Sequence, residues 1–197
     1  MNDVIDYESI TGYYWRRSSE IVLRYKAPIV LKTDLFNEAN SIPMSGGIIG
    51  NIKAKRIHAI EIDEAVVEKA QAIFDLMPDI VCRQGDIRKL EVAYQPDSFD
   101  VILDLSTLDH VWPEEMPQVI AGYNRVLKNG GTILLIVWAD TNKDYTEHEI
   151  GKFQQCMLGE DQIEKELSRY FKIESVLSIF GVPSRPEQQL LEFILTK

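Results

Sequence analysis

Cysteine is scarce in this chain of 197 residues, where only Cys82 and Cys156 occur. They lack a metal-type spacing and sit in apolar neighbourhoods, so the sequence predicts reduced thiols rather than a disulfide framework. Long apolar runs are missing as well. The longest, Ile133 to Ala139, falls far short of the roughly 20 residues that span a bilayer. Met1 to Asp6 is acidic and polar where a secretion signal would need positive charge and then an apolar run. Together these absences predict a cytoplasmic protein with no membrane partner. Basic residues are outnumbered too: 21 Lys and Arg against 31 Asp and Glu leave a net charge of −10. Such a surface repels phosphate backbones. The short groups Arg16 with Arg17, and Lys53 with Lys55 and Arg56, are too small for the multi-phosphate footprint of duplex binding. No nucleic-acid partner is expected. His58 and His148 have no neighbours at ligand spacing, so no metal site is expected either.

What is present is an ordinary globular composition, 45% apolar and 26% charged, in a chain of one-domain length. Short β-branched runs alternate with helix-periodic stretches, the pattern of a parallel sheet covered by helices on both faces. Strands are predicted at Ile29 to Lys32, Arg56 to Ile60, Asp79 to Cys82, Phe99 to Leu105, Thr132 to Trp138, Lys172 to Ser178 and Leu190 to Thr196. A helix over Glu64 to Leu76 places Val67, Ala70, Ile73 and Phe74 on one face. Another, Pro113 to Leu127, turns Val119, Ile120, Tyr123, Val126 and Leu127 inward and is closed by Asn129-Gly130-Gly131 as a C-cap. A third covers Glu160 to Phe171. Ile179 to Gln189 is too short and Pro-rich for a crossover helix, so a loop is expected there, with the last two strands antiparallel at one edge. Residues 1–27 read as a helical cover over an α/β domain of residues 28–197.

In open parallel sheets ligands bind beyond the carboxyl ends of the strands. The first strand runs into Lys32-Thr33-Asp34-Leu35-Phe36-Asn37-Glu38, which has no glycine to bring backbone N–H groups against a pyrophosphate, so NAD, FAD and P-loop nucleotides fit poorly. Gly46, Gly47 and Gly50 are offset from that end and read as a loop leading into a helix. The second strand ends at Glu61, placed to accept both hydrogen bonds of a ribose diol, while Asp63 caps the following helix. The third leads to Gly85-Asp86-Ile87, where a carboxylate and an apolar neighbour suit an adenine edge and face.

The fourth strand and its sequel, Phe99 through Val111, followed by Arg125-Val126-Leu127-Lys128-Asn129-Gly130-Gly131-Thr132-Ile133-Leu134, resemble class I S-adenosylmethionine-dependent methyltransferases, especially those acting on small molecules. The resemblance covers roughly residues 28 to 197 in order and spacing. It implies a three-layer, Rossmann-like fold with a seven-stranded, mostly parallel sheet and an antiparallel C-terminal hairpin. It also implies S-adenosylmethionine as cofactor, with Glu61 on the ribose, Ile62 against adenine, Asp86 and Ile87 at the adenine edge, and Asp104, Leu105 and Ser106 at the methionine end. The first strand departs from the pattern, since the family carries an acid followed by a glycine-rich turn. The cofactor has no phosphate, and its ammonium and sulfonium attract carboxylates. Thr33, Asp34 and Glu38 therefore join the cofactor set, with Asp34, Glu38 and Asp104 expected to form an acidic lip for the ammonium.

Methyl transfer mainly requires an aligned nucleophile, with a base for some acceptors. His110 and the adjacent Asp109 are the candidates, and the resemblance gives the histidine the competing role of holding the loop. Acceptor contacts are expected from Tyr7, Tyr13, Tyr14 and Trp15 beside Arg16 and Arg17, and from a lid over Asp140 to Leu158. The reading is methyl transfer to a small molecule. Its competitors are a methyltransferase-like domain without catalysis, serving interaction or regulation, and a nucleotide binder on a similar sheet.

Overall fold

The computed structural model describes residues 7–40, 47–140, 145–150, 153–182 and 185–197. Met1 to Asp6 and Gly46 lie outside the described residues, as do the side chains of Tyr7, His148 and Phe153. Parallel strands β1 (Ile29–Lys32), β2 (Arg56–Glu61), β3 (Ile80–Gln84), β4 (Phe99–Leu105) and β5 (Leu127–Asp140) share one sheet with antiparallel β8 (Lys172–Val182) and β9 (Arg185–Thr196). The sheet has seven strands in the order β3-β2-β1-β4-β5-β9-β8. Strand order reverses between β1 and β4, which opens a crevice at their carboxyl ends. The remaining strands, β6 (Tyr145–Ile150) and β7 (Phe153–Leu158), form a separate antiparallel hairpin inside the stretch expected to act as a lid.

Apolar residues point to both faces of the sheet, as a doubly covered sheet requires. Leu31, Ile102, Ile133 and Leu135 enter one core cluster with Val119 and Tyr123 of α5 (Met116–Val126). Their strand neighbours Val30, Val101, Leu103 and Leu134 enter the other, with Ile21 and Val22 of α1 (Tyr7–Val22) and Val67 and Ala70 of α3 (Glu64–Phe74). In α3 the buried stripe is Val66, Val67, Ala70 and Phe74, and Ile73 is 43% exposed, because the stripe turns one position earlier than its spacing predicts. Asp63 starts this helix by accepting from the Ala65 N–H at 2.9 Å. The short helices α2 (Phe36–Asn40), α4 (Leu90–Ala93) and α6 (Glu160–Leu167) complete the order.

Two expectations about turns are corrected. Gly130 does not cap α5: the helix ends at Val126, Leu127 is already extended, and Gly130 lies within β5 at φ +75°. There its N–H bonds the Lys197 carbonyl at 3.0 Å, so the left-handed residue shapes the strand start rather than the helix end. Ile179 to Gln189 is largely strand, with Gly181 opposite Gln189 and Val182 opposite Arg185. Antiparallel partners need only a tight connection, and register shifts along β8 absorb the irregularity as bulges.

Helix α1 is fastened to β9 by a buried ion pair. Arg17 gives Nε to Glu192 Oε2 at 2.8 Å and Nη2 to Oε1 at 2.6 Å, and the Tyr13 hydroxyl donates to Oε2 at 2.8 Å. Tyr13 and Arg17, expected at an acceptor pocket, are thereby committed to packing. Glu192 is 1% exposed, so removing its cation strands a charge. Arg17→Met is expected to lower unfolding free energy by about 3 kcal/mol in urea titration, and adding Glu192→Leu to recover most of it. A single-variant loss under about 1 kcal/mol would refute this account.

Candidate active site

A cavity of about 170 Å³ opens at the crevice. Thr33 and Asp34 come to it from the β1 turn, Glu61 and Ile62 from β2, Gly85 to Arg88 from the end of β3, and Thr107, His110, Val111, Trp112 and Glu115 from the segment after β4. Of the residues singled out from sequence, Thr33, Asp34, Glu61, Ile62, Asp86, Ile87 and His110 thus meet on one wall system.

Glu61 is held by backbone donors. Its Oε1 accepts from the N–H groups of Ile62 at 2.7 Å and Asp63 at 3.0 Å, and its Oε2 from Leu35 at 3.1 Å. A carboxylate offers about four acceptor sites, so a lone pair remains for a ligand hydroxyl. Ile62 is an exposed apolar side chain at the cavity wall, 54% accessible, where a flat apolar ligand face would cover it. Asp86 accepts from the Arg88 backbone N–H and Nε, each at 2.9 Å, and Arg88 bridges onward to Glu115 at 3.0 Å. Burial raises the Asp86 pKa, but the Arg88 bonds outweigh it and hold the carboxyl below its ordinary value. Arg88, Trp112 and Glu115 were not picked out from sequence. Arg88 and Trp112 stand one residue beyond motifs that were read.

The β1 turn is organised by Lys32. Its side chain is fully buried, and Nζ reaches Asp34 Oδ2 at 2.7 Å, the Asp34 carbonyl at 3.0 Å and Glu38 Oε2 at 3.4 Å. Burial opposes the charge, but the two carboxylates prevail and raise the ammonium pKa above its ordinary value. Asp34 also accepts from the Thr107 hydroxyl at 3.3 Å and the Phe36 N–H at 3.1 Å, and Thr33 bonds Thr107 at 2.9 Å. Glu38 does not reach the cavity: it is buried, and its Oε1 accepts from the Ile49 N–H at 3.3 Å. Gly47, at φ +53°, packs so closely there that a Cβ would lie 3.0 Å from Glu38 Cα. The glycine-bearing segment therefore closes behind Glu38 and leads only into a single 3-10 turn, Ile49–Asn51, instead of the helix expected after it.

The acidic lip is accordingly not assembled from Asp34, Glu38 and Asp104. Asp104 lies behind the wall with no exposure, accepting from the Tyr123 hydroxyl at 2.7 Å and the N–H groups of Thr107 at 2.9 Å and Leu108 at 3.3 Å. Burial pushes its pKa up to about 7 against those bonds. Leu105 joins the apolar core beside α1. Ser106 takes a left-handed conformation, φ +68°, and its hydroxyl donates to Asp109 at 3.1 Å. Asp109 is fully buried and also accepts from Gln155 of β7 at 2.6 Å. It holds the loop and the hairpin, and of the proposed pair only His110 lines the cavity. Tyr14 is buried beside Ser106, its phenol raised above the ordinary value by burial and then by Asp109 and Asp34.

Strand order, the antiparallel β9 and the crevice between β1 and β4 make a Rossmann-like fold that solved S-adenosylmethionine-dependent methyltransferases share. A family model described as a methyltransferase domain matches residues 45–131. That span includes Glu61, Asp86 and His110 but neither the Lys32 turn nor residues 132–197, both of which lie within the roughly 28 to 197 over which the resemblance is read. The PH0226 protein of Pyrococcus horikoshii OT3 superimposes with a TM-score of 0.71 at 16% identity, over 100% of this chain and 93% of that one. A 1,6-didemethyltoxoflavin-N1-methyltransferase of Burkholderia thailandensis, solved with 1,6-didemethyltoxoflavin and S-adenosylhomocysteine, gives 0.71 at 14% identity over 98% and 81%. The [4+2]-cyclase SpnF gives 0.76 at 12% identity over 100% and 85%. Among curated proteins none matches the chain.

The Asp104 environment predicts a pH dependence. An aspartate whose folded pKa is about 7 ionises first in the unfolded state, so stability from this group falls as pH rises from about 4 to about 7. Asp104→Asn has no such proton to lose. Its melting temperature should gain on the parent's by several degrees between about pH 5 and about pH 7.5. A constant offset between the two proteins would contradict the assignment.

Proposed function

We propose that the chain transfers a methyl group from S-adenosylmethionine to a small molecule. The observation that carries this reading is the convergence of Glu61, Ile62, Asp86 and Ile87 on one cavity. The adenosine half of the cofactor fits these residues. Glu61 keeps acceptor capacity for a ribose hydroxyl, Asp86 presents an ionised edge, and the two isoleucines offer apolar faces. The methionine half meets Asp34, whose carboxylate already serves Lys32 and Thr107. When bound, S-adenosylmethionine supplies a methyl group activated by its sulfonium. The chain's own part is to exclude water and align the acceptor. We assign His110 the base for an acceptor proton, because it lines the cavity and histidine is the side chain that most often does general-base work. Trp112 and Val111 then form the acceptor side of the mouth.

A small-molecule acceptor, rather than nucleic acid, agrees with the net charge of −10 and with the small molecule bound in the Burkholderia enzyme. Free Cys82 and Cys156 agree with a cytoplasmic location, and no helix among the described residues is long and apolar enough to cross a membrane. The second reading, a domain without catalysis, is favoured by one observation: a lysine cluster stands where the family carries its acid and glycine-rich turn.

Calorimetric titration separates the two readings. S-Adenosylhomocysteine should bind at micromolar concentration, equivalent to about −8 kcal/mol. Glu61→Gln should weaken it about tenfold by removing a charged acceptor. His110→Ala should leave that affinity within about threefold and lower turnover about a hundredfold in an acceptor screen. No binding at millimolar ligand by folded, ligand-free protein would favour the domain without catalysis.

A further inference from the structure

The end of β1 holds a cation of the chain's own where a ligand's ammonium would otherwise meet carboxylates. Of the three donors of an alkylammonium, Lys32 gives one to the Asp34 carboxylate at 2.7 Å and one to the Asp34 carbonyl at 3.0 Å, and the Glu38 carboxylate stands beside it as an ion pair at 3.4 Å. The ammonium is fully buried and so offers no donor to a ligand carboxylate. The carboxylates are compensated or out of reach: Asp34 keeps one acceptor site but is already paired with Lys32, and Glu38 Oε2 makes no hydrogen bond but is fully buried. Asp34 serves Lys32, Thr107 and the Phe36 N–H, while Glu38 is fully buried and bonded to the Ile49 N–H at 3.3 Å. Gly47 seals that side by close packing on Glu38.

An amino-acid tail carries one ammonium and one carboxylate; at this turn the reachable carboxylate, Asp34, is already paired with a cation, and that cation is buried away from the cavity. Glu61, Ile62, Asp86 and Ile87 belong to the other part of the cavity and are independent of the lysine cluster. We propose that Lys32 is a built-in replacement for the ligand's ammonium, so that the cavity selects its ligand by the adenine nucleoside and leaves an amino-acid tail unread. This rests on the adenosyl-binding reading above and names the part of the ligand that carries its affinity. The class of ligand it admits is 5′-thioadenosines, with or without the amino-acid tail.

The test is calorimetric titration of the whole chain with S-adenosylhomocysteine and with 5′-methylthioadenosine, which lacks the amino-acid portion. The expected result is two dissociation constants within about threefold of each other. S-Adenosylhomocysteine binding tighter by about tenfold or more would overturn the inference and leave the proposed function standing. Binding of neither at millimolar concentration would overturn both. Lys32→Met alone leaves two buried carboxylates without a cation and threatens the fold. The double variant Lys32→Met with Glu38→Gln removes one charge of each sign and leaves Asp34 for the ligand. In that protein S-adenosylhomocysteine should become favoured over 5′-methylthioadenosine by about tenfold. An unchanged ratio would overturn the assignment of Lys32. Should the double variant not fold, the ratio measured on the parent chain decides.

Discussion

The Lys32 ammonium lies at the carboxyl end of a central strand with no solvent exposure, 2.7 Å from one carboxylate and 3.4 Å from another. Removing such a cation from water costs several kcal/mol unless its partners are in place. Asp34 and Glu38 supply those partners, which ties the β1 turn and α2 to one buried cation. Thr33 and Thr107 carry the connection across the strand-order reversal, tying the β1 turn to the segment after β4. The cavity's walls on both sides of the crevice thus share one electrostatic anchor.

A second constraint lies behind the other wall. Asp104, Ser106 and Asp109 follow one another closely at the end of β4, and each is answered from a different element. Tyr123 of α5 bonds Asp104, and Gln155 of β7 bonds Asp109. Tyr14 of α1 packs against the same cluster. A left-handed serine costs of order 1 to 3 kcal/mol and persists only where its surroundings over-determine it. Here α1, α5 and the hairpin supply that determination, and His110 is presented to the cavity as a result.

The fold by itself leaves the chemistry open. The same architecture is shared by an N-methyltransferase with S-adenosylhomocysteine bound and by a protein described as a [4+2]-cyclase. What a chain of this fold does is decided by the side chains at the crevice. In this one Glu61, Asp86, Ile62 and Ile87 bring an acceptor, a second carboxylate and apolar faces to the cavity. At the β1 end a buried lysine is paired with Asp34 and Glu38.

The doubly covered sheet and its antiparallel last pair were legible in the sequence because apolar residues on both faces of β1, β4 and β5 and the short segment between the last two strands are local properties of the chain. The same holds for Glu61, Asp86, Ile87 and His110, whose places follow from which strand they terminate. The partners of Lys32, Asp104 and Asp109 were not legible. A charged residue in a sequence looks the same whether it faces solvent, a ligand or a buried counter-ion, and Tyr123 and Gln155 lie 19 and 46 residues from the acids they bind. The sequence by itself determined a doubly covered parallel sheet and the strand ends at which chemistry is placed. Only the tertiary structure decided which acids were free to meet a ligand, because burial and pairing depend on contacts between elements distant along the chain.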